Sequence, residues 1–130
     1  MGFESGVVAR LNAVGAITAL VADRITANIL PDNMAHPAIV YQLISTSPID
    51  SNINADGGKF RTRIQVTLIA DTVQGLIDLS DALKVALVRF QGTTDDIEIL
   101  DSRLDNLFDQ AYDLETDRTA RIVDFIIYWE

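Results

Sequence analysis

The clearest pattern in the chain is the stretch Lys59 to Asp71, in which Phe60, Thr62, Ile64, Val66, Leu68 and Ala70 alternate with Arg61, Arg63, Gln65, Thr67 and Ile69. A period of two, rich in β-branched residues, predicts a strand with one buried face. At Asp71 the period changes. Leu76, Leu79, Leu83, Ala86, Leu87 and Phe90 recur at three and four, the apolar stripe of a helix. Asp71, three residues ahead of Gln74, reads as a capping-box variant, and Gly92 as the stop. A strand feeding straight into an amphipathic helix predicts a two-layer domain, with the helix laid back over the strand's apolar face.

The remaining segments complete this arrangement. Phe3 to Val14 carries Val7, Val8, Leu11 and Val14 at helical spacing, with Ser5 as a cap; Gly15 interrupts, and Ile17, Leu20 and Val21 continue as a short helical turn. Ile25 to Leu30 alternates as a short strand and ends in the turn residues Pro31, Asp32 and Asn33. Pro37 to Ser45 is a second strand, with the proline at its start, where a missing N–H costs least. Ile97 to Phe108 reads as a strand bulged near Leu104, Asp113 to Asp117 as a turn, and Ala120 to Trp129 as the closing strand. Val123, Phe125, Ile127 and Trp129 share one face of that strand, but Ile126 and Tyr128 on the other face are also large and apolar. The expected fold class is α+β: an antiparallel β-sheet with two α-helices packed on one face, in the order α-β-β-β-α-β-β, as a single domain over 1–130. The polar segment Thr46 to Gly58 joins the two best strands with thirteen residues, of which only Ile49 and Ile53 are large and apolar. A hairpin closes with about two to five, so these isoleucines are candidate anchors for a partner.

At 130 residues with 48% hydrophobic content, the chain is long enough for one packed core. It has no cysteine, hence neither a disulfide framework nor thiol chemistry. No charged segment precedes an apolar run at the start, so no signal peptide is expected. The run Leu11 to Ala22 falls short of the about 20 residues that span a bilayer. The net charge of −9 is unevenly placed: residues 1–70 are balanced, and the surplus lies in 71–130. Within 95–117, nine acids stand against Arg103 alone. Such a surface repels phosphate and argues against ordinary nucleic-acid binding. It is either a solvated face or one that meets nucleic acid without sticking to it.

Catalytic chemistry finds little to work with. His36 is the single histidine, no GxSxG turn surrounds any serine, and zinc lacks a ligand set. Asp50, Asn52 and Asn54 imitate the start of a calcium loop, but Ala55 and Arg61 occupy the positions that need glycine and glutamate. Gly57-Gly58 is turn chemistry, and no phosphate-binding glycine motif is present. Arg61 and Arg63, on the polar face of the central strand, are expected to pair with acids across the sheet or across a subunit boundary. No enzyme activity, metal or cofactor is expected.

Several motifs stand in order: Asp23-Arg24-Ile25 after the first helix, Pro37-Ala38-Ile39-Val40-Tyr41-Gln42, Arg61-Thr62-Arg63-Ile64-Gln65-Val66, Ala70-Asp71-Thr72 with the helix Leu79 to Leu87, and Arg121-Ile122-Val123-Asp124-Phe125 with an aromatic pair. Over nearly its whole length the chain resembles the tail-completion (tail-to-head joining) family of tailed bacteriophages and related prophages. The resemblance implies a structural protein similar in fold to tail terminators, assembled as a ring, usually a hexamer, at the head-proximal end of the tail tube. It further implies tail tube and head connector proteins as partners, DNA passing through the lumen without specific binding, and a place in the virion's tail–neck region after assembly in the host cytoplasm. On that reading Ile49, Ile53, Arg61, Arg63, Ile126 and Tyr128 are the expected subunit or tube interface, and Asp101, Asp105 and Asp109 the expected lumen-facing acids. The rival is a host-encoded soluble module binding a small ligand or a protein. An enclosed apolar pocket would favour the rival, and a broad, partly apolar sheet face the ring.

Overall fold

In chain order the elements are α1 (Phe3–Ala13), α2 (Gly15–Val21), β1 (Ile25–Ala27), β2 (Ala38–Pro48), β3 (Phe60–Ala70), α3 (Val73–Leu87), β4 (Gly92–Thr94), β5 (Ile97–Asp113) and β6 (Arg118–Trp129). This computed structural model describes residues 2–22, 24–28, 37–49, 59–113 and 118–130. The six strands form one sheet in the order β1-β2-β3-β6-β5-β4. The class is α+β as expected, but both the element count and the order differ from the expected α-β-β-β-α-β-β. The N-terminal helix breaks into two segments bent by 90°, and β4 is an additional strand.

β3 lies at the centre, paired antiparallel with β2 on one side and β6 on the other. Its alternation places Thr62, Ile64, Val66, Leu68 and Ala70 in the interior, as the pattern predicts. Facing them are Leu76, Leu79, Leu83, Ala86 and Leu87 of α3, joined by Phe3, Val7 and Leu11 of α1 and Ile17 and Val21 of α2. All three helices therefore pack on one face of the sheet. At one end of the core, Trp129 stacks on Phe60 with ring centroids 4.9 Å apart and lies 5.3 Å from the Phe3 ring. Its indole N–H donates to Thr62 Oγ1 at 2.8 Å, so the polar tip of a half-buried tryptophan is satisfied.

Several local expectations are corrected. The cap of α3 is Thr72, not Asp71: its Oγ1 accepts the Gly75 N–H at 3.0 Å. Thr72→Ala should cost about 1 kcal/mol, read as a lower denaturant midpoint at unchanged slope; an unchanged midpoint would show that the cap contributes nothing. Gly92 does not stop the helix. α3 ends at Leu87, and Arg89 adopts the left-handed φ of 61° that turns the chain, its N–H bonding Ser102 O at 2.7 Å. Gly92 instead opens β4. α1 is entered from Gly2 without a side-chain cap, so Ser5 does not cap it. The sheet is mixed, because β1 pairs parallel with β2. Ten residues separate these strands, too many for a hairpin turn.

β2 runs on to Pro48, so residues 46–48, expected as loop, pair with Phe60, Arg61 and Thr62 of β3. The turn expected at 31–33 and the rest of the loop at 50–58 lie outside the described residues; of the turn expected at Asp113 to Asp117, Asp113 instead ends β5 and 114–117 lie outside them. β4 and β5 form a hairpin across Asp95 and Asp96, with Asp95 at a φ of 54°. α1 crosses this hairpin at Gly6, where a Cβ would lie 2.5 Å from Ile97 Cδ1, and the Gly6 carbonyl accepts the Thr94 hydroxyl at 2.7 Å. Among the described residues no single helix is long and apolar enough to cross a membrane.

Candidate functional site

With the helices gathered on one side, the other face of the central four strands carries the candidate residues. Strand registers arrange it in cross-strand rows. Asp101, Tyr128, Arg61 and Ser47 form the first row, and Arg103, Ile126, Arg63 and Ser45 the second. Asn106, Asp124, Gln65 and Gln42 form the third, and Phe108, Ile122, Thr67 and Val40 the fourth. Beyond these, Ile69 lies beside Ala38 and Ala120. The face thus grades from charged, through amide, to apolar.

The structure brings Arg61, Arg63, Ile126 and Tyr128 together in the first two rows. Arg63 reaches past Ile126 to form an ion pair with Asp105. Arg103 donates to Asp101 at 3.0 Å and stands over the Tyr128 ring, 5.5 Å from its centroid. Arg61 is exposed and has no acid partner among the described residues. Half-buried Ile126 and Tyr128 therefore sit within a ring of three arginines. In the third row Asp124 keeps one buried carboxylate oxygen without a hydrogen-bond partner. Ile49, 46% exposed, stands just past the end of β2, where its N–H bonds Lys59 O at 3.1 Å. Ile53, His36 and the calcium-like residues Asp50, Asn52 and Asn54 lie outside the described residues.

Asp101, Asp105 and Asp109 do not share one surface. Residues four apart on a regular strand point the same way, but β5 is bulged between Leu104 and Asn106, which shifts the phase. Asp101 and Asp105 hold arginines on the outer face, whereas Asp109 turns to the helix side and binds Arg121 at 2.6 Å. Asp101 is held below the usual carboxylate range chiefly by the hydrogen bond from Arg103, which outweighs the opposing effect of burial, with a smaller contribution from the charge of Arg89. Asp109 is lowered chiefly by its hydrogen bond from Arg121.

A folded pKa below the unfolded value, about 3.9, stabilises the fold above that value, and the gain is lost as pH falls through the folded pKa. Both groups lie near solvent, which screens the effect. Thermal melts should therefore be flat from about pH 5 to 8 in this respect and decline modestly below about pH 4. Asp101→Asn with Asp109→Asn should flatten that decline. An acid slope identical to the wild type's would show that these pairs do not contribute.

Two features of the site escape the sequence reading. Phe108, 45% exposed, lies in an apolar row of the outer face with half-buried Val40 and buried Ile122. α3 also exposes Val73, Ile77 and Val85, with Val88 just past its end, interleaved with Gln74, Asp81 and Lys84. Elsewhere an open groove of about 530 Å³ is lined by Glu4, Ser5, Val8, Ala9, Asn12, Tyr41 and Asp95. Burial, and secondarily Glu4, push the Tyr41 hydroxyl above its usual range. This is an open, acid-flanked trough rather than the enclosed apolar pocket a small-ligand module calls for.

The profile of the family described as "Tail completion protein gp17" matches residues 5–129. In fold the chain is similar to a chain in a solved structure titled "Virion of native gene transfer agent (GTA) particle", with a TM-score of 0.74 and 15% sequence identity, covering 98% of this chain and 94% of that one. No curated protein sequence matches the chain.

Proposed function

The chain belongs to the tail completion protein gp17 family and is a structural protein of a phage-type virion, and from that premise we propose that it forms a ring at the head-proximal end of the tail tube, ends tube growth and joins the tail to the head connector. The observation that carries this reading is the outer face of the sheet. Four strands wide, it bears Ile126 and Tyr128 among Arg61, Arg63 and Arg103 at one end and exposed Phe108 and half-buried Val40 at the other. Apolar side chains framed by arginines suit a protein–protein contact, where aromatic residues and arginine are enriched and binding is concentrated. The work proposed for the chain is docking rather than catalysis. Of the expected interface residues, Arg61, Arg63, Ile126 and Tyr128 on β3 and β6 are proposed as its continuous part and Ile49 as its margin; Ile53 lies outside the described residues.

The lumen is proposed on the β4–β5 side. Asp101, Asp105 and Asp109 each already neutralise an arginine, so the repulsion that keeps DNA from adhering rests more on Asp95, Asp96 and Glu98, which are exposed with no arginine partner among the described residues. Replacing these three with Lys should leave folding and tail joining intact and slow DNA delivery, measured as the rate of genome release. Unchanged release would assign them to the particle's outside.

Producer cells lacking the chain test the role as a whole. Filled heads and tails should accumulate unjoined, and adding purified protein to the extract should restore joined particles. Joined, functional particles in its absence would overturn the proposal.

A further inference from the structure

The strands at either margin of the sheet are only partly paired. β1 covers β2 at Ile39, Val40 and Tyr41, and β4 covers β5 at Ile97, Glu98 and Ile99. Beyond these, residues 42–47 of β2 and 103–109 of β5 have no second strand beside them among the described residues. All of them are exposed except Leu43 and Leu107, which are half-buried. An open edge presents backbone N–H and C=O groups that a further strand can pair, and proteins commonly guard such an edge with charges or proline. Residues 42–47, Gln-Leu-Ile-Ser-Thr-Ser, contain neither, and the bulge between Leu43 and Ser45 leaves Ile44 44% exposed. The core also runs off both edges. On the helix side Leu43, Ile64, Phe125 and Leu104 form one cross-strand row. Ile64 and Phe125 are fully buried, whereas Leu104 at one end is 39% exposed and Leu43 at the other is half-buried.

We infer that the open edge of β2 in one copy pairs antiparallel with the open edge of β5 in the next, residues 42–47 against 103–109, so that one sheet runs through the contact. This rests on the ring reading above and adds which edges meet. An unguarded strand edge takes up another strand, through main-chain hydrogen bonds. The neighbour's β5 offers one in the required direction. Every pairing from β2 through β3 and β6 to β5 is antiparallel, so β2 and β5 run opposite ways. Copies set side by side in the same sense therefore bring β5 and β2 together as an antiparallel pair, with neither inverted. The same approach sets Leu104 and Leu107 of one copy beside Leu43 of the other, so the core row that ends uncovered at each edge continues across the boundary. An edge paired with its own counterpart makes a closed two-fold dimer, whereas two different edges make a head-to-tail contact that repeats around an axis. The outer face stays uncovered by this pairing and open to other contacts in the particle.

The chain contains no cysteine, so introduced thiols report without background. Ser45→Cys and Asn106→Cys, at exposed positions on the two edges, would be prepared as variants distinguishable by mass, mixed, and treated with a short bismaleimide. The sample is the free protein or the assembled tail, whichever contains the oligomer. The expected product is the 45–106 link, in large excess over 45–45 and 106–106. Adding Ile44→Glu, a charge on the unguarded edge at an exposed side chain, should abolish the link and leave the melting temperature nearly unchanged. Hydrogen exchange reads the backbone itself: amides within 42–47 and 103–109 should exchange at least about tenfold more slowly in the wild-type oligomer than in the Ile44→Glu monomer. An oligomer without the 45–106 link and without that protection would overturn the edge pairing and leave the ring to other surfaces. Predominance of 45–45 or 106–106 links would overturn the head-to-tail sense. Links from either position to a different virion protein, without the 45–106 product, would overturn the second copy as the occupant and assign the edge to that protein. A chain that is monomeric both alone and in assembled tails would overturn the ring reading, and this contact with it.

Discussion

Replacing Phe125 with Ala should remove about 3–5 kcal/mol of stability. Phe125 is fully buried, the largest such side chain in the core. On β6 it lies between Ile64 of β3 and Leu104 of β5, with α3 above. Strands on both sides fix its position, so the surroundings have little freedom to collapse into the space it leaves. Against the about 5–15 kcal/mol that holds a typical domain folded, this is a large fraction. Urea unfolding followed by Trp129 fluorescence would read it as a large fall in midpoint. A loss under about 1 kcal/mol would mean that the site refills, and that the β3–β6–β5 core is less constrained than its registers imply.

The second large effect is on assembly and leaves folding alone. Ile126→Asp with Arg63→Glu puts two negative charges beside Asp101, Asp105 and Asp124 on the outer face and removes the Arg63–Asp105 ion pair. That pair is exposed, so its loss costs no more than about 1 kcal/mol. The melting temperature should move by a few degrees at most. At a subunit contact the same change buries unpaired like charges. A cost of about 3 kcal/mol per contact is roughly a hundredfold in affinity, and it recurs at every contact around a ring. Joined particles should therefore fall by two orders of magnitude or more in a complementation assay while the purified variant remains folded. Normal joining by a folded variant would remove the outer face from the account.

The four long strands and α3 were legible because each carries its own period: Ile64, Val66 and Leu68 at two, Leu76, Leu79 and Leu83 at three and four. The remainder depends on partners that no local pattern displays. Thr46 and Ser47 look like loop, yet they extend β2 because Thr62 and Arg61 lie opposite, with the Thr46 and Thr62 hydroxyls 2.9 Å apart. Gly92-Thr93-Thr94 has no alternation and becomes a strand because β5 pairs with it and Gly6 receives the Thr94 hydroxyl. Asp71 and Thr72 are both competent caps, and only the path of the chain selects the second.

Of the candidate site, the outward placement of Arg61, Arg63, Ile126 and Tyr128 followed directly from alternation. The scatter of Asp101, Asp105 and Asp109 did not, since the shift between Leu104 and Asn106 turns Asp109 to the face opposite Asp101. The exposed Val73, Ile77 and Val85 of α3 could not be read as a surface feature, because Gln74, Asp81 and Lys84 are interleaved with them and the core stripe accounts for the helix by itself.

The central claim concerns position and copy number in the particle. Electron cryomicroscopy of assembled particles, reconstructed at the head–tail junction without imposed symmetry, measures both at once. The account predicts several symmetry-related copies of this fold in one closed ring, seated between the last layer of the tail tube and the head connector. A single copy there, or copies distributed elsewhere in the particle with none at that end of the tube, would contradict it.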